Sequence, residues 1–129
     1  MTFVEMSSPS LAAPANTQRA GLIVYSDDNH YMQIGRVYSN GGGVELITEN
    51  GGSPAVTLFY GNPQAVRITR VNSTYTAYYS NDSFNWVKLG SSLTPTGWTN
   101  VRIGLVAYNP GSLPYTYEGH FDWLRVTNY

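Results

Sequence analysis

Apolar and polar positions alternate with a period of two along most of this chain, which sets one side of an extended segment against a core and the other toward water. In Val66-Arg67-Ile68-Thr69-Arg70-Val71, Val66 and Ile68 fall inward and Arg67 and Thr69 outward. Within Thr74–Ser80, Tyr75, Ala77 and Tyr79 oppose Thr76 and Tyr78. Val101, Ile103, Leu105 and Ala107 make a further inward set, with Arg102, Gly104 and Tyr108 on the opposite side. No segment reads convincingly as a helix.

The pattern predicts strands at Thr2–Ser7, Ala20–Ser26, Tyr31–Tyr38, Val44–Glu49, Ala55–Tyr60, Val66–Val71, Thr74–Ser80, Trp86–Leu89, Val101–Asn109 and Gly119–Thr127. Between them lie Asp27-Asp28-Asn29, Asn40-Gly41-Gly42-Gly43, Asn50-Gly51-Gly52, Gly61-Asn62-Pro63, Asn72-Ser73 and Asn81-Asp82, residues that tolerate the left-handed backbone of tight turns. Longer loops at Ser8–Gln18, Ser91–Asn100 and Pro110–Tyr117 read as rims rather than linkers. Repeats, low-complexity segments and composition shifts are lacking, so the 129 residues read as one all-β domain, an antiparallel sandwich.

Composition narrows the chemistry. Seven Lys and Arg against eight Asp and Glu give a net charge of −1, which cannot build the basic stripe that a phosphate backbone requires, so no nucleic-acid partner is expected. The absence of Cys removes disulfides, thiolate metal ligands and thiol nucleophiles together. No apolar run reaches the ~18 residues of a membrane span. Met1–Met6 lacks the pattern of a signal peptide, which leaves secretion of a longer parent open. Eleven Tyr in a chain with only 12% charged residues suit an extracellular polymer-binding surface.

Five segments carry a resemblance. Ala20-Gly21-Leu22-Ile23-Val24-Tyr25-Ser26-Asp27-Asp28-Asn29-His30-Tyr31, running on into Met32-Gln33-Ile34-Gly35-Arg36, is the first. Val66–Arg70 followed by Tyr75-Thr76-Ala77-Tyr78-Tyr79-Ser80-Asn81-Asp82-Ser83-Phe84-Asn85-Trp86 supplies two more, and Ile103-Gly104-Leu105 and Phe121-Asp122-Trp123-Leu124-Arg125-Val126 complete the set. In order and spacing these resemble the concanavalin A-like jelly rolls at the C-termini of glycoside hydrolase family 43 β-xylosidases and related carbohydrate-binding modules. The resemblance runs from about Thr2 to Val126 and implies a two-sheet antiparallel sandwich, an extracellular setting, and a catalytic domain elsewhere in a larger parent chain. It also implies a buried Trp86 and a structural Ca²⁺ held partly by Asp122. Two departures stand out: the chain lacks strands that family domains carry before the one matching Phe3–Met6, and it has Trp123 where the family has a polar or acidic residue.

Catalysis within the domain is not expected. A glycosidase needs two carboxylates about 5–10 Å apart, whereas Glu45 and Glu49 on one strand face are roughly 13 Å apart at ~3.3 Å per residue. No G-x-S-x-G elbow supports a serine triad. His30 and His120 read as turn or capping residues, and Asp27-Asp28-Asn29 reads first as an Asx-capped turn. Asn72-Ser73-Thr74 and Asn81-Asp82-Ser83 are glycosylation sequons at hairpin tips.

Sugar binding needs aromatic faces for C–H surfaces and planar polar groups for hydroxyls. Outward Glu45, Arg67, Tyr78, Arg102, Tyr108 and Trp123 have that chemistry, although each could equally decorate an antiparallel sheet. Tyr25, Tyr38, Tyr60, Trp98, Tyr115 and Tyr117 offer an alternative pocket at the rim. The first expectation is thus a non-catalytic module that binds a plant or microbial polysaccharide. The alternatives are a structural accessory domain of a glycoside hydrolase and an extracellular subunit that self-assembles into a filament or layer through an open sheet edge.

Overall fold

Ten strands joined largely as hairpins build the chain in a computed structural model that describes residues 2–7, 19–37, 42–108 and 121–128. They are β1 (Thr2–Ser7), β2 (Arg19–Asp27), β3 (His30–Val37), β4 (Gly43–Asn50), β5 (Ala55–Tyr60), β6 (Ala65–Val71), β7 (Thr74–Ser80), β8 (Val87–Leu93), β9 (Arg102–Tyr108) and β10 (Trp123–Asn128). Every pairing among them is antiparallel, and two five-stranded sheets result, β10-β1-β6-β7-β8 and β5-β4-β3-β2-β9. No helix among the described residues is long and apolar enough to cross a membrane.

Local chemistry sets the turns. The Asp27 carboxylate accepts the Asn29 amide at 2.9 Å, which closes the β2–β3 turn, and Asn72 supplies the left-handed residue between β6 and β7 at φ 54°. Asp82 organises the β7–β8 connection: its Oδ1 accepts the amides of Phe84 (2.8 Å) and Asn85 (2.7 Å), and its Oδ2 accepts Asn85 Nδ2 at 2.6 Å.

The core lies between the sheets. Leu22, Val24, Met32, Ile34, Val44 and Leu46 from one layer meet Val66, Ile68, Tyr75, Ala77, Tyr79 and Leu89 from the other. Each large aliphatic side chain buried this way stabilises the fold by roughly 1.5–3 kcal/mol. The layers stack with β8 over β4 and β5, β6 over β2 and β3, and β1 over β2, so β9 and β10 lie at the same end.

Strand parity is as expected at Val66, Ile68, Tyr75, Ala77 and Tyr79, all buried. The β9 set differs. Ile103 and Leu105 pair in register with the buried Val24 and Leu22, yet both are exposed. Parity decides the side a residue faces; burial also needs an opposing layer, and sheet order leaves only the edge strand β10 at that end. Two boundaries also move: the eighth strand runs from Val87 to Leu93, and the last strand runs from Trp123, the expected start at Gly119 lying outside the described residues.

Candidate functional site

The six outward candidates occupy opposite faces of the sandwich. Arg67 and Tyr78 are register partners on the outer face of the β1-containing sheet, in one row with Arg125, Glu5 and Lys88, and Trp123 occupies an outward position on the same side. Glu45 and Arg102 face outward from the other sheet, where Tyr108 holds the matching position opposite Arg19. The side chain of Tyr108 lies outside the described residues, as do Tyr38, Tyr115, Tyr117 and His120.

Several of these groups are already engaged. Arg19 reaches across to Glu45, with Nε 2.5 Å from one carboxylate oxygen and Nη2 3.2 Å from the other; the two side chains are 20% and 9% exposed. Arg67 lies over the Trp86 ring at 3.8 Å. Trp86 is therefore not the buried core anchor expected: it precedes β8 and sits half-buried against the guanidinium on an outer face. Arg125 packs 5.3 Å from the Trp123 ring. Asp122, the candidate calcium ligand, is exposed just before β10, and among the described residues no three His, Asp or Glu side chains converge as a metal group would require. His30 Nδ1 is 2.7 Å from Asp27 Oδ1. The Asn29 amide, and then His30, hold the Asp27 carboxyl below its ordinary range.

Among the described residues, concave surface occurs at the rim. Arg70, Ser73, Tyr75, Pro95, Gly97, Trp98 and Val101 line a cavity of about 110 Å³. A second, of about 100 Å³, shares Arg70, Tyr75 and Val101 and reaches Val24 and Ile68 between the layers. Its Ile103 also borders an open groove of about 260 Å³ beside Ile23, Tyr25, Arg102 and Gly104 on the outer face. Through these shared residues the three hollows form a track from the rim around β9.

Polar contacts fix the walls of this track. Trp98 Nε1 donates to Asn50 Oδ1 at 2.9 Å, and the indole lies 5.5 Å from the Tyr75 ring. Ser26 Oγ donates to the Thr99 carbonyl and accepts the Thr99 amide, at 2.9 and 3.1 Å, which ties the Trp98 loop to β2. Arg70 donates through Nε to the Asn72 carbonyl at 2.9 Å, and no carboxylate among the described residues pairs with it. Arg102 lies 5.5 Å from the Tyr25 ring, whose hydroxyl donates to Asp28 Oδ1 at 2.6 Å; that hydrogen bond pushes the Tyr25 phenol up and favours its protonated form. Trp98, Tyr75 and Arg70 thus line the rim hollows, and Tyr25 and Arg102 line the neighbouring groove.

Of the residues considered from sequence, Arg102, Tyr25 and Trp98 belong to this track, while Tyr60 lies exposed on the far edge strand. Sequence reasoning misses Arg70, Tyr75 and Asn50 as members of a site. The signal for Arg70 is its parity: a cation following Val66 and Ile68 on the inward side marks the point where the layers part.

Over residues 10–127 the sequence matches the Beta xylosidase C-terminal Concanavalin A-like domain. The chain belongs to this family of β-xylosidase C-terminal domains. Solved structures agree in fold. BlXynB, a glycoside hydrolase family 43 protein from Bacillus licheniformis, superposes with a TM-score of 0.79 at 20% identity over 99% of this chain and 27% of its own. The xylan β-1,4-xylosidase of Bacillus halodurans gives 0.74 at 16% identity, over 98% and 27%. A functionally unknown protein of Saccharomyces cerevisiae gives 0.68 at 19%, over 98% and 67%. The chain thus spans about a quarter of the two bacterial chains it matches in fold. Comparison with curated proteins returns no match.

Proposed function

We propose that the chain is a non-catalytic carbohydrate-binding accessory domain of an extracellular glycoside hydrolase. The observation that carries the reading is the rim track, in which Trp98 and Tyr25 present aromatic surface near Arg70 and Arg102, with the buried Tyr75 lining the rim hollows. Sugar rings have apolar C–H faces and hydroxyl edges, so they suit a hollow with aromatic walls and fixed guanidinium donors. Asn50 holds the indole in place before ligand arrives, which limits the ordering cost of binding. Family membership supports the accessory role, in which tethering raises the local concentration of a catalytic domain on its polysaccharide.

Calorimetric titration or affinity electrophoresis against xylan, arabinan, levan and β-glucans tests the proposal. At least one polysaccharide binds, and Trp98→Ala weakens that binding tenfold or more while the circular dichroism spectrum is retained. Silence across the panel overturns the reading, and so does unchanged affinity in Trp98→Ala.

A further inference from the structure

The seven cations of the chain are not equally committed. Arg19 is paired with Glu45, and Arg67 lies over the Trp86 ring. Arg102 packs on the Tyr25 ring, whose hydroxyl holds Asp28, so an anionic group already stands beside it. Arg70 differs. Its Nε donates to the Asn72 carbonyl at 2.9 Å, and no carboxylate pairs with it among the described residues.

The fold sets that guanidinium in place. Arg70 closes the inward row of β6 behind Val66 and Ile68, at the level where β7 supplies Tyr75 as its register partner. The turn that follows puts Asn72 in the left-handed region at φ 54°, and the Asn72 carbonyl meets Nε. The guanidinium carbon stands 5.7 Å from the Tyr75 ring. Held at Nε, the group keeps both Nη nitrogens for a ligand, and their parallel N–H bonds match the two oxygens of a carboxylate. Beside it lies the rim hollow of about 110 Å³, far more than the ~10–15 Å³ that seats one water. Trp98 and Ser73 border the same hollow, an aromatic wall and a hydroxyl, and Arg70 is the one charged group among the described residues that line it. A single cation matches the single charge of a carboxylate and not the dianion of a phosphate monoester. Hydrogen bonds to an ionised acceptor are roughly twice as strong as those to a neutral one, so this fork tells an acidic sugar from its neutral counterpart.

We propose that the rim hollow selects polysaccharides carrying uronic acid units, with the carboxylate held end-on by Arg70 Nη1 and Nη2 and the sugar ring against the Trp98 indole. This selection rests on the carbohydrate-binding reading above: the indole supplies adhesion that neutral sugars share, and Arg70 adds the preference for the acid. The net charge of −1 works weakly against an acidic polymer, so the preference comes from the local fork and not from the field of the whole protein.

Calorimetric titration of the full chain with glucuronoxylan, and with the same polymer after reduction of its carboxyl groups to alcohols, tests this. The chain binds the acid form about tenfold or more tightly, and that advantage shrinks as salt rises while binding of the reduced form does not change. Arg70→Gln brings the two affinities together. Arg70→Lys keeps the charge without the fork and recovers only part of the preference. Lys88→Gln removes the same unit of charge from the outer face of β8 and keeps the full preference. Should Arg70→Gln misfold by circular dichroism, the unaltered chain still decides, since the comparison of two polymers needs no variant. Equal affinity for the two forms overturns the carboxylate assignment and leaves carbohydrate binding standing. Loss of the preference in Lys88→Gln overturns it as well, because the effect then traces to net charge. Failure of both forms to bind also overturns it, and carbohydrate binding falls with it only if the neutral polysaccharides are silent too.

Discussion

Gly21 and Gly35 face each other across the β2–β3 pair, and neither site has room for a Cβ. A methyl group built on Gly21 would lie 2.1 Å from the Ile34 carbonyl oxygen and 2.4 Å from the Gly35 Cα; on Gly35 it would lie 2.2 Å from the Ala20 carbonyl oxygen. Ordinary contact begins near 3.4 Å, so the obstacle must yield by more than about 1 Å. That obstacle is backbone, held by β9 on one flank and β4 on the other. Overpacking typically costs about 1–3 kcal/mol. Because no flexible side chain can move aside here, Gly35→Ala is expected at the upper end, near ~3 kcal/mol. With an unfolding entropy of about 2.1 cal/mol/K per residue, that lowers the Tm of a chain this long by about 10 °C. Gly104 is the control within the same sheet, with no atom of the described residues within 4 Å of the place its methyl would take. Gly104→Ala is expected to be neutral or to stabilise by about 0.4–1 kcal/mol by restricting the unfolded chain. Urea and thermal unfolding of both variants provide the assay. A Gly35→Ala variant within about 0.5 kcal/mol of the parent, the ordinary range of an inconsequential substitution, or equal losses at the two sites, would refute the reasoning.

Further outcomes follow from other contacts. Glu45→Ala leaves the Arg19 guanidinium in a largely dry site and is expected to destabilise by about 2–3 kcal/mol, below the cost for a fully buried pair; a double-mutant cycle with Arg19→Ala by urea unfolding recovers much of that as coupling. Asn50→Ala releases the Trp98 indole, costs about 0.5–1.5 kcal/mol in urea unfolding and broadens the tryptophan emission. The backbone amide of Asn85 and the donors around it hold the Asp82 carboxyl well below its ordinary value. A depressed folded-state pKa stabilises above the unfolded value of about 3.9, and that contribution is lost as pH falls through the lower folded value. Asp82→Asn is accordingly less stable than the parent at neutral pH, and the difference closes only in strong acid. Carboxyl NMR showing Asp82 titrating near its ordinary value would contradict this.

Much of the fold was legible because its signals are local. Alternation placed Val66, Ile68, Tyr75 and Ala77 inward, and the Asn- and Asp-rich turns separated the strands near their observed bounds. The site was less legible because its decisive contacts join distant segments. Glu45 reads as a free outward carboxylate until Arg19, twenty-six residues away, is brought onto it. Trp98 meets Asn50 across forty-eight residues, a partnership no local motif encodes. Arg67 and Arg102 have the same chemistry on paper, and only the assignment of strands to sheets sets them on opposite faces.

The position of β1 bears on where the domain can be cut. It lies between β10 and β6, pairing with both, so the last strand reaches its sheet only through the first. The match to the family begins at residue 10, beyond β1. An expression fragment trimmed to that match would lose the strand that joins β10 to the rest of its sheet, leaving β6 with a raw edge and β10 without a partner. Such a fragment should come out of the cell as aggregate, whereas one that keeps the first seven residues should remain in solution.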